Sequence, residues 1–165
     1  MIAERVDESL PGAITGRHDF RGDSTIVVQP ESYLDVVKFI FSEGFQLMID
    51  LTAVDWPDRQ PRFDLVVHFQ NLLNQERLRV KVPLADGQPI ASITPIFKGA
   101  NWFEREAYDM FGIPFDGHPN LVRLMMWEDF EGHPLRKDFP LDGGDTWCTA
   151  DTGTPYAGRA KSLVE

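Results

Sequence analysis

Phe63-Asp64-Leu65-Val66-Val67-His68-Phe69-Gln70, a turn at Asn71 to Gln75, and Arg77-Leu78-Arg79-Val80-Lys81-Val82 form the stretch that decides the fold. Phe63, Leu65, Val67 and Phe69 alternate with Asp64, Val66, His68 and Gln70, and Leu78, Val80 and Val82 alternate with Arg77, Arg79 and Lys81. A period of two places every second side chain on one face, so the stretch predicts an antiparallel hairpin with one face turned to a core. The second strand has the cleanest one-sided pattern in the chain, with three cations on its outward face. Pro83 at its end is tolerable because the ladder stops there.

Upstream, Phe45 to Val54 also alternates, and Phe45, Leu47, Ile49, Leu51 and Ala53 are the expected inward set. Ser32 to Glu43 reads as a helix with Tyr33, Val37, Ile40 and Phe41 at helical spacing, and Gly44 stands where a C-terminal cap belongs. Before it, Ala13 to Arg17 and Thr25 to Val28 read as strands about a turn carried by Asp19, Arg21, Gly22 and Asp23. A short helix over Ile2 to Leu10 stops at Pro11-Gly12. Downstream, Asn101 and Glu104 have the spacing of a capping box, Phe103, Ala107, Met110 and Phe111 line one helix face, and Gly112 and Pro114 end it. Leu121 to Met126 reads as a short strand.

From Trp127 the sequence is rich in Gly, Pro and Asp, with isolated aromatics at Phe130, Phe139, Trp147 and Tyr156. Such a segment has no means of burying its aromatics against itself. The expectation is an α+β fold: a two-layer sandwich, a mixed sheet with helices on one face in the order α-β-β-α-β-β-β, over residues 1–126. An extended C-terminal tail follows over residues 127–165.

Composition narrows the function. The chain has 165 residues, 42% hydrophobic and 12% aromatic, enough for one folded domain, and a formal net charge of −10. A nucleic-acid binder or a protein held to an anionic membrane is expected to be basic. Cys148 is the single cysteine, so neither a disulfide framework nor a four-thiolate iron–sulfur cluster is available within the chain. No apolar run approaches the roughly 20 residues of a membrane span, and the start Met-Ile-Ala-Glu-Arg has no signal-peptide character.

Three clusters carry potential chemistry. Glu104, Glu106 and Asp109, with Arg105 among them, offer carboxylates on a helix, with Glu106 and Asp109 three apart on a shared face, and paired carboxylates perform acid–base work or bind metals. The structural reading is a cap at Glu104 and charge pairs for the rest. His118 and His133 sit in two Gly-His-Pro triplets and are candidate metal ligands, although no zinc spacing surrounds them; tight turns that position the rings are the other reading. Arg136-Lys137-Asp138 beside Phe139 is either a solvated charge run or a docking point for a partner carboxylate, and Arg77, Arg79 and Lys81 permit the same two readings. Cys148 has no histidine near it in sequence. No phosphate loop and no nucleophile elbow appears.

Asn101-Trp102-Phe103-Glu104-Arg105-Glu106, Tyr108-Asp109-Met110-Phe111-Gly112-Ile113 and Gly117-His118-Pro119, read in order, resemble the signature of the C-type accessory chain of respiratory complex I, bacterial and mitochondrial. The likeness continues through Leu121, Arg123 and Leu124, Glu128-Asp129, and Glu131 to Leu141. Upstream it takes in Leu51 to Asp55, Arg62-Phe63 and Arg77 to Val82, so it spans roughly Leu51 to Leu141.

The resemblance implies a non-catalytic subunit in the hydrophilic arm of a proton-pumping NADH–quinone oxidoreductase. Such a subunit is peripheral, on the cytoplasmic side of a bacterial inner membrane. Its partners are the large subunit that helps form the quinone site and the small cluster-bearing subunit. Flavin, iron–sulfur clusters and quinone belong to the partners, and this chain binds no cofactor. Glu104, Arg105, Glu106, Asp109, His118, Arg123, His133, Arg136, Lys137 and Asp138 are then the expected partner-binding residues. On this view the tail orders along the partner, burying Phe130, Phe139 and Trp147 there. Two alternatives stand: the equivalent subunit of a membrane-bound hydrogenase or of a ferredoxin- or F420-linked quinone reductase, and a small metal-dependent hydrolase using His118 and His133.

Overall fold

The structure, a computed structural model, describes residues 2–140. The elements run α1 (Ile2–Ser9), β1 (Ile14–Phe20), β2 (Asp23–Val28), α2 (Tyr33–Ser42), β3 (Leu47–Asp55), β4 (Phe63–Gln70), β5 (Arg77–Leu84), β6 (Ile90–Ala91), α3 (Ala100–Phe111) and β7 (Phe115–Asp116). The first seven follow the expected α-β-β-α-β-β-β order. The main sheet is ordered β1-β2-β5-β4-β3, antiparallel except where β2 runs parallel to β5, so it is mixed. β6 and β7 form a separate parallel pair that the sequence pattern did not disclose.

The hairpin falls as its alternation dictates. Phe63, Leu65, Val67 and Phe69 of β4 and Leu78, Val80 and Val82 of β5 are buried in one core with Val36, Val37 and Ile40 of α2 and Ala107 and Met110 of α3. Arg77, Arg79 and Lys81 lie on the opposite face, which no helix among the described residues covers.

β3 departs from the expectation. Leu47 and Ile49 are exposed and Met48 is buried, while Leu51 and Ala53 point inward as expected. The register against β4 shifts between Met48 and Asp50, so an extra residue is inserted there and the side-chain phase reverses across it. In α2, Val36 takes an inward position and Phe41 moves to the rim, edge-on to Phe97.

Leu121 to Met126 is not a strand. The N–H groups of Leu124, Met125 and Met126 are used by one carboxylate of α3, described below. The tail expectation also changes over the described part. Phe130 is buried at 6% exposure, with Trp127 edge-on at 4.9 Å and Phe139 at 5.8 Å. Contrary to expectation the aromatics of this segment bury against one another, and residues 121–140 form a strap tied to the domain by hydrogen bonds. Trp147, Cys148 and Tyr156 lie outside the described residues.

Candidate functional site

The strap is fastened at two places. The first is the C-terminal half of α3, where helical spacing turns Asp109 inward beside Met110. Asp109 is fully buried, and its Oδ2 accepts hydrogen bonds from the backbone N–H groups of Leu124 (3.0 Å), Met125 (2.7 Å) and Met126 (2.9 Å). Its Oδ1 accepts from Arg123 Nη1 at 2.7 Å. Burial pushes the carboxyl pKa up, but the donors from Met126, Arg123, Met125 and Leu124 outweigh it and hold it below the usual carboxylate range. Arg123 Nη2 continues to the carbonyls of Phe130 (2.7 Å) and Gly132 (3.0 Å), so one guanidinium ties helix, loop and strap together.

His133 Nδ1 bonds the Asp109 carbonyl at 2.9 Å, and Leu135 N–H donates to the Met110 carbonyl at 3.1 Å. The ring of His133 lies over Gly112, which has φ +79; a Cβ there would stand 2.6 Å from Nε2. Glycine both ends the helix and makes room for the strap. Arg105 donates from Nε to the Val122 carbonyl (3.1 Å) and from Nη2 to that of Arg123 (3.0 Å), its guanidinium over the Trp102 ring.

The second fastening is at the end of β3. Asp55 occupies the inward phase after Leu51 and Ala53 and accepts from Arg62 Nε (2.7 Å) and Nη2 (2.8 Å) and from Lys137 N–H (2.7 Å). Arg62 Nη1 also reaches Asp138 at 2.8 Å, and Arg136 bonds Asp86 at 2.9 Å and Asp138 at 3.2 Å. Hydrogen bonds from Arg62 hold Asp55 and Asp138 below the usual range, and those from Arg136 do the same for Asp86.

The expected site residues sort cleanly against this geometry. Arg105, Asp109, Arg123, His133, Arg136 and Asp138 spend their side chains fastening the strap. Arg136 and Asp138, expected to fix register on a partner, pair within the chain. Lys137 contributes its backbone N–H and leaves its side chain exposed, and Glu106 is exposed. Glu106 and Asp109 thus do not form a carboxylate pair: one faces solvent and the other is buried.

Glu104 is not a helix cap. The residue before α3 is Gly99, with no side-chain cap, and Glu104 is fully buried. It accepts from Ser92 Oγ (2.7 Å) and Ile93 N–H (2.8 Å), rooting α3 on the β6 loop. Burial, opposed in part by those two donors, pushes its pKa up to about 7. Tyr33 Oη is buried with no hydrogen-bond partner among the described residues, and burial and the Glu104 charge push its pKa up.

The histidines sit in turns, as one reading held. His118 Nε2 bonds the Asn101 carbonyl (3.2 Å) and its Nδ1 accepts from Asn120 N–H (3.0 Å). His118 and His133 thus bond α3 carbonyls eight residues apart, about 12 Å along the axis. Among the described residues no group of three or more His, Cys, Asp or Glu is placed to hold a metal. No helix among them is long and apolar enough to cross a membrane.

Asp55, Arg62 and Asp86 were not among the expected site residues. A carboxylate in the inward phase of an alternating strand was the available signal for Asp55, since a buried charge requires a partner. Asp86 carried none.

The two-layer sheet-and-helix fold is shared with two solved structures. It matches a trypsin-resistant fragment of Nqo5 with TM-score 0.65 and 28% identity, covering 73% of this chain and all of that one. It matches a chain of an archaeal membrane-bound sulfane sulfur reductase with TM-score 0.73 and 27% identity, covering 85% of this chain and 84% of that one. The chain belongs to the family described as respiratory-chain NADH dehydrogenase, 30 Kd subunit, whose pattern matches residues 26–145. The C-type chain of the NADH-quinone oxidoreductase of Rhodobacter capsulatus is 44% identical over 86% of this chain and 73% of its own length. Its counterpart in Citrifermentans bemidjiense is 42% identical over 94% of this chain and 93% of its own.

Proposed function

We propose that the chain is a cofactor-free scaffold in the hydrophilic arm of a proton-pumping NADH–quinone oxidoreductase, supporting electron transfer from NADH to quinone without catalytic residues of its own. It is peripheral, on the cytoplasmic side of a bacterial inner membrane. It seats the large quinone-site subunit and the small cluster-bearing subunit, which carry the redox groups together with the flavin subunit.

The observation that carries this reading is the state of Met125. Its N–H is held by Asp109 while its side chain is 67% exposed, and Trp102, Val122 and Leu135 are exposed on the same fastened elements. Backbone fixed from within and apolar side chains held out is the preorganisation a docking anchor requires, because little ordering entropy remains to be lost on binding.

The 40–44% identity to NADH-quinone oxidoreductase chains favours that enzyme over the related reductases, to which the 27% likeness extends. The test is purification of tagged complex from detergent-solubilised membranes. Met125→Asp is expected to deplete the companion subunits about tenfold or more while the chain itself remains folded. A fully assembled complex that loses activity on Glu106→Ala would instead argue for chemistry in this chain.

A further inference from the structure

We infer that the helix-free face of the main sheet, at the β3–β4–β5 end nearest Leu47 and Arg77, is a second docking surface that takes an acidic, apolar-anchored segment of a partner protein. This deepens the scaffold reading and rests on it.

Cation pairing carries the argument. The chain holds 26 acidic and 16 basic residues, so carboxylates are in excess. Arg5, Arg17, Arg59, Arg62, Arg123 and Arg136 each pair with a carboxylate. Arg77, Arg79 and Lys81 make no ion pair among the described residues, and unlike the other unpaired cations, Arg21, Lys98, Arg105 and Lys137, they share one strand; Arg79 has only a hydrogen bond to Thr25 Oγ1 (3.0 Å). Alternation aligns these three in one row about 13 Å long on the open face. Like charges aligned in this way repel, and no carboxylate of the described residues stands at ion-pair distance from them.

An apolar ledge adjoins the row. The irregularity between Met48 and Asp50 turns Ile49 outward, at 43% exposure, next to Leu47 at 39%. A β-bulge re-aims side chains at sheet edges, and here it exposes two large aliphatics beside unpaired cations. Leu47, Ile49, His68, Gln70, Arg77 and Arg79 line a groove of about 700 Å3. Asp23 also lines it and Asp50 stands close to His68, so the groove has an acidic side that repels carboxylates and a basic side, Arg77 and Arg79, that accepts them.

The acidic chain as a whole disfavours a polyanion such as nucleic acid or an anionic bilayer, which would feel the net charge of −10. A peptide segment with a few carboxylates and one apolar side chain meets only the local field, and fits both the row and the ledge.

The test uses the tagged, membrane-assembled complex with a photo-crosslinking amino acid at Ile49, and in parallel the variant Arg77→Glu. The Arg77 side chain is exposed and makes no ion pair among the described residues, so its reversal leaves the fold intact. The expected result is a crosslink to one companion peptide bearing carboxylates, and release of that companion at about tenfold lower affinity in Arg77→Glu, restored by reversing the facing carboxylate. An assembled complex in which Ile49 gives no crosslink, or crosslinks a carboxylate-free peptide, overturns this inference while leaving the scaffold reading standing. A chain recovered without companions overturns both.

Discussion

The inner face of the sheet and the strap over residues 121–140 are held by different forces. The sheet buries Leu65, Val67, Phe69, Leu78, Val80 and Val82 at 0% exposure against two helices, through contacts that are individually weak and collectively large. The strap contributes Phe130 to the buried apolar set and little else. It is fixed by Asp109, Arg123 and the charged cluster around Asp55 and Arg62. Apolar burial is non-directional and tolerates slippage. A carboxylate that accepts three successive backbone N–H groups sets the path of that loop residue by residue. The molecule thus uses hydrophobic packing for its core and polar fastening for the path of its strap.

The comparison breaks most sharply under two substitutions of similar energetic size. Phe69→Ala should cost about 3–5 kcal/mol of global stability, and should lower the thermal midpoint of the whole domain. Asp109→Ala leaves Arg123 without its charge partner and three N–H groups without acceptors. It should cost about 3–5 kcal/mol as well, but locally, freeing the strap while the sheet stays folded. Limited proteolysis separates the two: cleavage confined to the strap in the second, spread through the sheet in the first.

Acidity acts on the two regions with opposite sign. Glu104, which roots α3, has its folded pKa raised from 4.5 to about 7, so its contribution is full below pH 4.5 and is lost as pH rises through about 7. The loss is on the order of 3 kcal/mol, read as a declining unfolding free energy between pH 5 and 7 that Glu104→Gln abolishes. Asp109 and Asp55 have lowered pKa values, so the stability they give the strap is present above the ordinary carboxylate value and is lost as pH falls through their folded values. Strap protection should therefore fail first on the acid side.

The smallest effect belongs to Arg136→Ala. Asp86 is half exposed, and pairs of that kind contribute about 0.2–1 kcal/mol. The isolated chain should keep its melting temperature within a few degrees.

The two regions were also unequally legible in the sequence. The hairpin from Phe63 to Val82 announced its strands and inward face, because burial there follows a local period of two. That period misled at β3, where one inserted residue between Met48 and Asp50 moved Leu47 and Ile49 to the outside, and a phase reversal has no residue signature of its own. Glu104 fitted a capping box because Asn101 and Glu104 have the right spacing, yet its donors come from Ser92 and Ile93. Leu121 to Met126 was apolar enough for a strand, but the N–H groups of Leu124, Met125 and Met126 go to one side chain of α3. The resemblance picked out most of the fastening residues without indicating that they bond within the chain. Lys137 N–H to Asp55 spans 82 residues and Arg136 to Asp86 spans 50, separations no local pattern encodes.

Hydrogen exchange on Asp109→Ala, beside the unsubstituted chain, reads directly whether this carboxylate holds the strap. Amides of residues 121–140 should lose protection while those of β3, β4 and β5 keep theirs, because the carboxylate fastens the strap and not the core. Unchanged protection in the strap, or its loss together with the whole sheet, would contradict the claim.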